Sequence, residues 1–188
     1  MNSRQDRLEH CIKELDDINI KFKRFPGLTF KEKANFPNIG SRGCFESHKS
    51  ILEMNINNRN PILIMEDDIL INRQFSIKHY LNDIPSNWDM LFFYNSNNDK
   101  SDKKWIKTRT LGTHFYIINN KSIQKILSQL YTKEYICNID VTYTKINAEI
   151  FCTNNQLVIQ DTLKFKSDIL DLSKPNIKRF YKRLPIYT

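Results

Sequence analysis

The chain has 188 residues, enough for one domain with a substantial core. Its hydrophobic share of 40% and charged share of 27% fit an ordinary globular protein and exclude a fibrous or disordered one. A net charge of +8 favours an anionic partner, and the 4 glycines form neither a Walker A loop nor a GxGxxG pattern.

The four cysteines, Cys11, Cys44, Cys137 and Cys152, lack CxxC spacing. They read as reduced thiols, mostly small core residues, of a cytoplasmic protein. Residues 2–7 are polar, so no secretory signal is expected, and no apolar segment approaches the roughly 20 residues of a membrane span.

In chain order, Ser3 and Asp6 match a capping box. Behind it Leu8, Cys11, Ile12, Leu15 and Ile18 recur at helical spacing. Ile20 and Phe22 alternate with lysines, a short strand signal. Residues 26–42 have no period and predict a loop. A second helix is expected from Ser41, with Cys44, His48, Ile51, Leu52 and Asn55 on one face, which turns His48 inward.

The most informative stretch follows: Pro61-Ile-Leu-Ile-Met-Glu66-Asp67-Asp68. Its unbroken apolar run predicts a strand buried on both faces of a parallel sheet. Ligands of open α/β sheets bind at the carboxyl ends of strands. Three carboxylates at such an end need solvent, protonation or a cation to relieve their repulsion. A divalent cation is the economical answer, and with an α/β sheet it points to a nucleotide phosphate. Because alternate residues of an extended segment face the same way, Asp68 is the expected metal ligand, with Glu66 beside it near a ribose or metal-bound water. A solvated acidic turn is the bland alternative.

Further along, residues 77–84 predict a short helix, 88–94 a strand, 95–104 a polar loop, 114–118 a strand and 121–130 an amphipathic helix. A short strand is expected at 157–159, then a basic tail with interleaved aromatics. Strands alternating with helices predict an α/β fold with a mainly parallel sheet flanked by helices. One domain is expected over 1–173, with a basic C-terminal tail at 174–188.

Several ordered motifs resemble glycosyltransferase family 25, of the lipooligosaccharide and collagen galactosyltransferase type. They are Arg4-Gln-Asp6-Arg7, Gly43-Cys44-Phe-Glu-Ser47-His48, Ile64-Met-Glu66-Asp67-Asp68, Trp88-Asp89 and Gly112-Thr-His114-Phe-Tyr116, then Ile139-Asp140, Gln160 and Ser167-Asp168-Ile169. The resemblance implies a GT-A-like (Rossmann-like) fold and an inverting transferase moving galactose or glucose from a UDP-sugar to a saccharide or hydroxylysine-type acceptor. Manganese (Mn2+), or magnesium (Mg2+), is implied at the acidic motif. In the family a hydrophobic strand precedes the Arg-x-Asp-Arg element, and Met1 falls where it should end, so the first strand is expected to be missing or shortened.

The same resemblance suggests roles. Asp140 would be the general base, against a bland reading as a helix cap. Arg4 and Arg7 would contact phosphate or nucleotide. Ser47 and His48 would bind the donor or orient a carboxylate. His114 is a further candidate for the metal, as a ligand or behind one. Gln160 and Ser167-Asp168 would line the acceptor side or brace the loop around it, with bracing the reading preferred. The basic tail suits peripheral contact with an anionic membrane, or is an ordinary solvated terminus. A catalytically inactive sugar- or partner-binding member is the alternative. A nucleic-acid partner is not expected, because the basic residues are scattered outside the tail and no recognised motif is present.

Overall fold

The computed structural model describes residues 4–73, 75–97, 101–132 and 137–165. Ser3 of the capping box, the Ser167-Asp168-Ile169 element, the boundary at 173 and the basic tail lie outside them.

Helix α1 (Gln5–Asp16) buries Arg7, His10, Cys11 and Leu15 on one side. The strand expected at Ile20 and Phe22 does not form. The amide of Ile20 bonds back to Leu15 O at 3.0 Å, closing the helix end instead of joining a partner strand. Both side chains still pack on the core, so the alternation reported burial without pairing. Helix α2 (Ile39–Met54) begins where Asn38 Oδ1 accepts from Ser41 N at 2.7 Å, an N-cap.

The main sheet holds β1 (Ile62–Met65), β3 (Met90–Phe92), β4 (Trp105–Lys107), β5 (Phe115–Ile118) and β6 (Ile150–Thr153) in the order β1-β5-β3-β6-β4. A small antiparallel ribbon joins β2 (Ile69–Ile71) to β7 (Val158–Gln160). The helices are completed by α3 (Ile77–Leu81), α4 (Ile123–Leu130) behind a 3-10 turn, and α5 (Ile139–Tyr143).

The α/β class with flanking helices is as expected, but the strand directions are mixed, not mainly parallel. Among the described residues only β3 and β6 pair in parallel; β5 runs antiparallel to both β1 and β3, and β4 antiparallel to β6. The apolar runs carried no directional information. They record that both faces are covered, which holds for either direction once helices or a second sheet lie on each side.

Alternation along the strands divides the interior in two. Ile62, Ile64, Met90, Phe92, Tyr116 and Ile118 face α2, α4 and α5. Leu91, Phe93, Phe115 and Ile117 face α1, β4 and the β2–β7 ribbon. The acidic segment leaves β1 between these two layers. Asp89 fixes the opposite end of the sheet: it accepts from Ser122 Oγ, from Lys125 Nζ at 2.6 Å and from Glu149 N at 2.7 Å. Among the described residues no helix is long and apolar enough to cross a membrane.

Candidate active site at the acidic strand end

Strand β1 stops at Met65, but one further bond, Glu66 N to His114 O at 3.0 Å, carries the pairing with β5 through Glu66. The three acids then separate. Glu66 turns towards α2, accepts from Thr113 Oγ1 at 2.6 Å, and lies 3.6 Å from His48 Nε2. Burial works to raise its carboxyl, but His48 and the Thr113 hydroxyl outweigh that and hold it down at about 2.

Asp68 turns the other way, towards α1 and β7, and is only 4% exposed. Its Oδ2 meets Arg7 Nη1 at 3.3 Å and Gln160 Nε2 at 2.9 Å. Burial, reinforced by the charge of Glu66, pushes its carboxyl up to about 7 against the pull of Gln160 and Arg7. Asp67 stays half exposed, yet shares the same guanidinium nitrogen at 2.5 Å. Arg7 is therefore a clamp on two acids, with its guanidinium 5.1 Å above the Phe165 ring.

The segment after β7 closes this side. Asp161 N bonds Asp68 O at 2.6 Å, and Phe165 meets His10 edge-on at 4.9 Å between centroids. Gln160, expected as a brace, holds Asp68 itself.

Helix α2 supplies the other wall. His48 is buried, as its helical face required, with Nδ1 2.6 Å from Tyr116 Oη, which in turn lies 3.3 Å from Tyr143 Oη. Ser47 is directed at the chain before α2: it accepts from Leu28 N at 2.8 Å and donates to Gly43 O at 2.6 Å. A Cβ on Gly43 would come within 2.7 Å of Leu28 O, so the loop packs where only glycine fits. The nearby depression of about 670 Å³ at the start of α2, lined by Lys31, Lys33 and residues 37–40, holds none of the expected site residues.

Asp140 sits in the first turn of α5, whose N-cap position is Asn138, so Asp140 is not itself the cap. Its oxygens accept from Val141 N at 2.7 Å and Gly112 N at 3.2 Å. Burial raises its carboxyl, the two amides oppose, and the charge of Glu66 adds to the rise. Gly112 has φ +91°, the left-handed region, and a Cβ there would strike the His114 ring at 2.8 Å.

His114 is buried and places Nε2 3.1 Å from Val158 O, which makes Nε2 the donor. Burial lowers its pKa, favouring the neutral ring. It is not among the described metal-capable groups, which differ from the expected Asp68, Glu66 and His114: the trio whose ligand atoms converge is Cys44, His48 and Glu66. Arg4 caps α1 without a side-chain cap bond and pairs with Asp6 at 3.4 Å. Cys44 was legible only as a core thiol. The signal that could have found it is its i, i+4 spacing to an inward histidine.

A mixed sheet with helices on its faces, and acids gathered where β1 ends, is compatible with a Rossmann-like glycosyltransferase fold. Glycosyltransferase family 25 (LPS biosynthesis protein) matches residues 1–143, well over half of the chain, and the chain belongs to that family. Membership supports a glycosyltransferase role in LPS biosynthesis, with a sugar donor and an acceptor as substrates. Gln160 lies beyond the matched span. No curated protein matches the chain.

Proposed function

We propose that the chain is an inverting glycosyltransferase that moves galactose or glucose from a UDP-sugar to a saccharide or hydroxylysine-type acceptor with help from a divalent ion. The observation that carries this reading is the family match over residues 1–143, together with a buried Asp68 oxygen that has no hydrogen-bond partner just beyond the end of β1.

The residues fit a hard cation at one point. Asp68 Oδ1 is buried with no hydrogen-bond partner, while Arg7 and Gln160 hold only Oδ2. Through Oδ1, Asp68 would hold manganese or magnesium, which when bound neutralises charge developing on the leaving diphosphate, while Glu66, turned towards α2, contributes its charge from the other side. Arg7 and Gln160 keep the Asp68 carboxylate from rotating. Asp140 would take the proton of the acceptor hydroxyl. Each of its oxygens accepts one backbone N–H and keeps a second lone pair, and burial moves it towards a useful base strength.

The test is UDP release with and without manganese and acceptor. Asp68→Ala should abolish it while circular dichroism stays unchanged; full activity in that variant removes Asp68 from the mechanism. One observation favours a second reading, a non-catalytic sugar- or partner-binding member: Asp68 is 4% exposed and already salt-linked to Arg7. Saturable UDP-sugar turnover eliminates that reading.

A further inference from the structure

Cys44 and His48 stand one turn apart on α2, so their side chains leave the same face of the helix. That face meets Glu66 as it emerges from β1. The Cys44 thiol, an imidazole nitrogen of His48 and a Glu66 carboxylate oxygen all lie within 4.8 Å of one another. We propose that Cys44, His48 and Glu66 form a site for a borderline-soft divalent cation of the zinc class, separate from the oxygen-rich position at Asp68.

The ligand chemistry selects the metal. Manganese and magnesium prefer oxygen, whereas a thiolate, an imidazole and a carboxylate together suit zinc. Three protein ligands with a fourth position left open is a recurrent zinc arrangement. The charges also close: one thiolate and one carboxylate balance a dication, with the histidine neutral. On binding, the thiol proton leaves to solvent.

The spacing agrees. His48 Nε2 and Glu66 Oε1 stand 3.6 Å apart, longer than a good hydrogen bond. Two ligands each ~2.0–2.1 Å from one ion in a tetrahedron stand about 3.4 Å from each other. Both ligands are also oriented by neighbours. Tyr116 Oη fixes His48 Nδ1 at 2.6 Å, turning Nε2 inward, and Thr113 Oγ1 donates at 2.6 Å to Glu66 Oε1, the oxygen that faces His48, leaving it a further lone pair for the ion. Metal-bound histidines and carboxylates are oriented by such outer partners.

The proposal does not rest on the transferase reading. None of its three ligands is Asp68, so zinc here and a cation at Asp68 would occupy distinct positions.

The full chain, stripped with chelator, is titrated with zinc chloride by calorimetry, and cobalt is substituted to record its absorption spectrum. One zinc per chain and a thiolate-to-cobalt charge-transfer band are expected. Tyr116→Phe should weaken zinc by roughly 10–100-fold. Cys44→Ser should weaken it further and abolish the band, while Cys152→Ser changes neither. Absence of zinc binding, or zinc binding undiminished in Cys44→Ser, overturns the proposal. If Cys44→Ser does not fold, the cobalt spectrum of the unaltered chain decides: a band supports the site and its absence refutes it.

Discussion

Glu66 and Asp68 are two residues apart, yet they live in opposite environments. The α2 side gives Glu66 a histidine and a hydroxyl and pulls its carboxyl down to about 2. The α1 side leaves less of the Asp68 side chain exposed, 6% against 23% for Glu66, and its carboxyl stands at about 7 despite a guanidinium on one oxygen. Neighbouring carboxyls pushed apart in this way mark a division of labour between a permanent anion and a group awaiting a counter-charge. Desolvation and partner geometry decide the difference, since the two side chains differ by one methylene.

The sharpest way to break the contrast is to remove the clamp. Arg7→Met leaves Asp68 buried without its cation and should cost about 3–5 kcal/mol in urea unfolding. Most of that loss should return in the Arg7→Met, Asp68→Asn double variant. An unchanged midpoint for Arg7→Met would show that the Arg7 link carries no stability. On the other side, Glu66→Gln keeps a hydrogen-bond acceptor for Thr113 but discards the charge. UDP release should fall about 100-fold, equivalent to roughly 2.7 kcal/mol, with little change in melting temperature.

The titration of Asp68 sharpens the comparison further. Its folded-state pKa, about 7, lies above the ordinary 3.8, so between those values the folded chain binds more protons than the unfolded one. Its contribution is full below the ordinary value and is lost as pH rises through about 7. Asp68→Asn should flatten the decline in metal-free stability between those pH values by up to about 4 kcal/mol. An identical slope in the two chains would contradict the assignment.

Asp89, far along the sheet, supplies the reverse sign. Burial alone would raise it, but Lys125, Ser122 and the Glu149 amide hold it below 3.8. Its contribution is therefore present above the ordinary value and lost as pH falls through the lower folded one. Asp89→Asn should cost about 1–3 kcal/mol at neutral pH, with the gap narrowing in acid. The smallest effect is expected at Ser47. Ser47→Ala removes two hydrogen bonds between α2 and the preceding loop, should lower stability by about 1 kcal/mol, and should leave metal binding intact.

Much of this arrangement was legible before the structure. The helical stripe behind Arg7, the inward turn of His48 and the buried run ending in Glu66 follow from periodicity, because packing on two faces imposes it. Three features were not legible. Strands β2, β4 and β6 have three or four residues each, too short to show a period. The antiparallel course of β5 depends on how the chain returns through 95–114, which local sequence does not encode. The environments of Glu66 and Asp68 depend on groups far away in sequence, His48 and Thr113 for one, Arg7 and Gln160 for the other. Strand alternation placed both acids on one side, whereas the pairing with β5 ends at Glu66 and the chain beyond it no longer obeys that alternation.

Gly112 has a mechanical consequence. Its amide holds Asp140, its missing Cβ leaves room for the His114 ring, and the next residue, Thr113, grips Glu66. Three consecutive residues thus yoke helix α5 to the edge where β1 ends. A displacement of α5 would reach the Glu66 carboxylate through a few bonds of main chain, so Asp140 and Glu66 are mechanically linked.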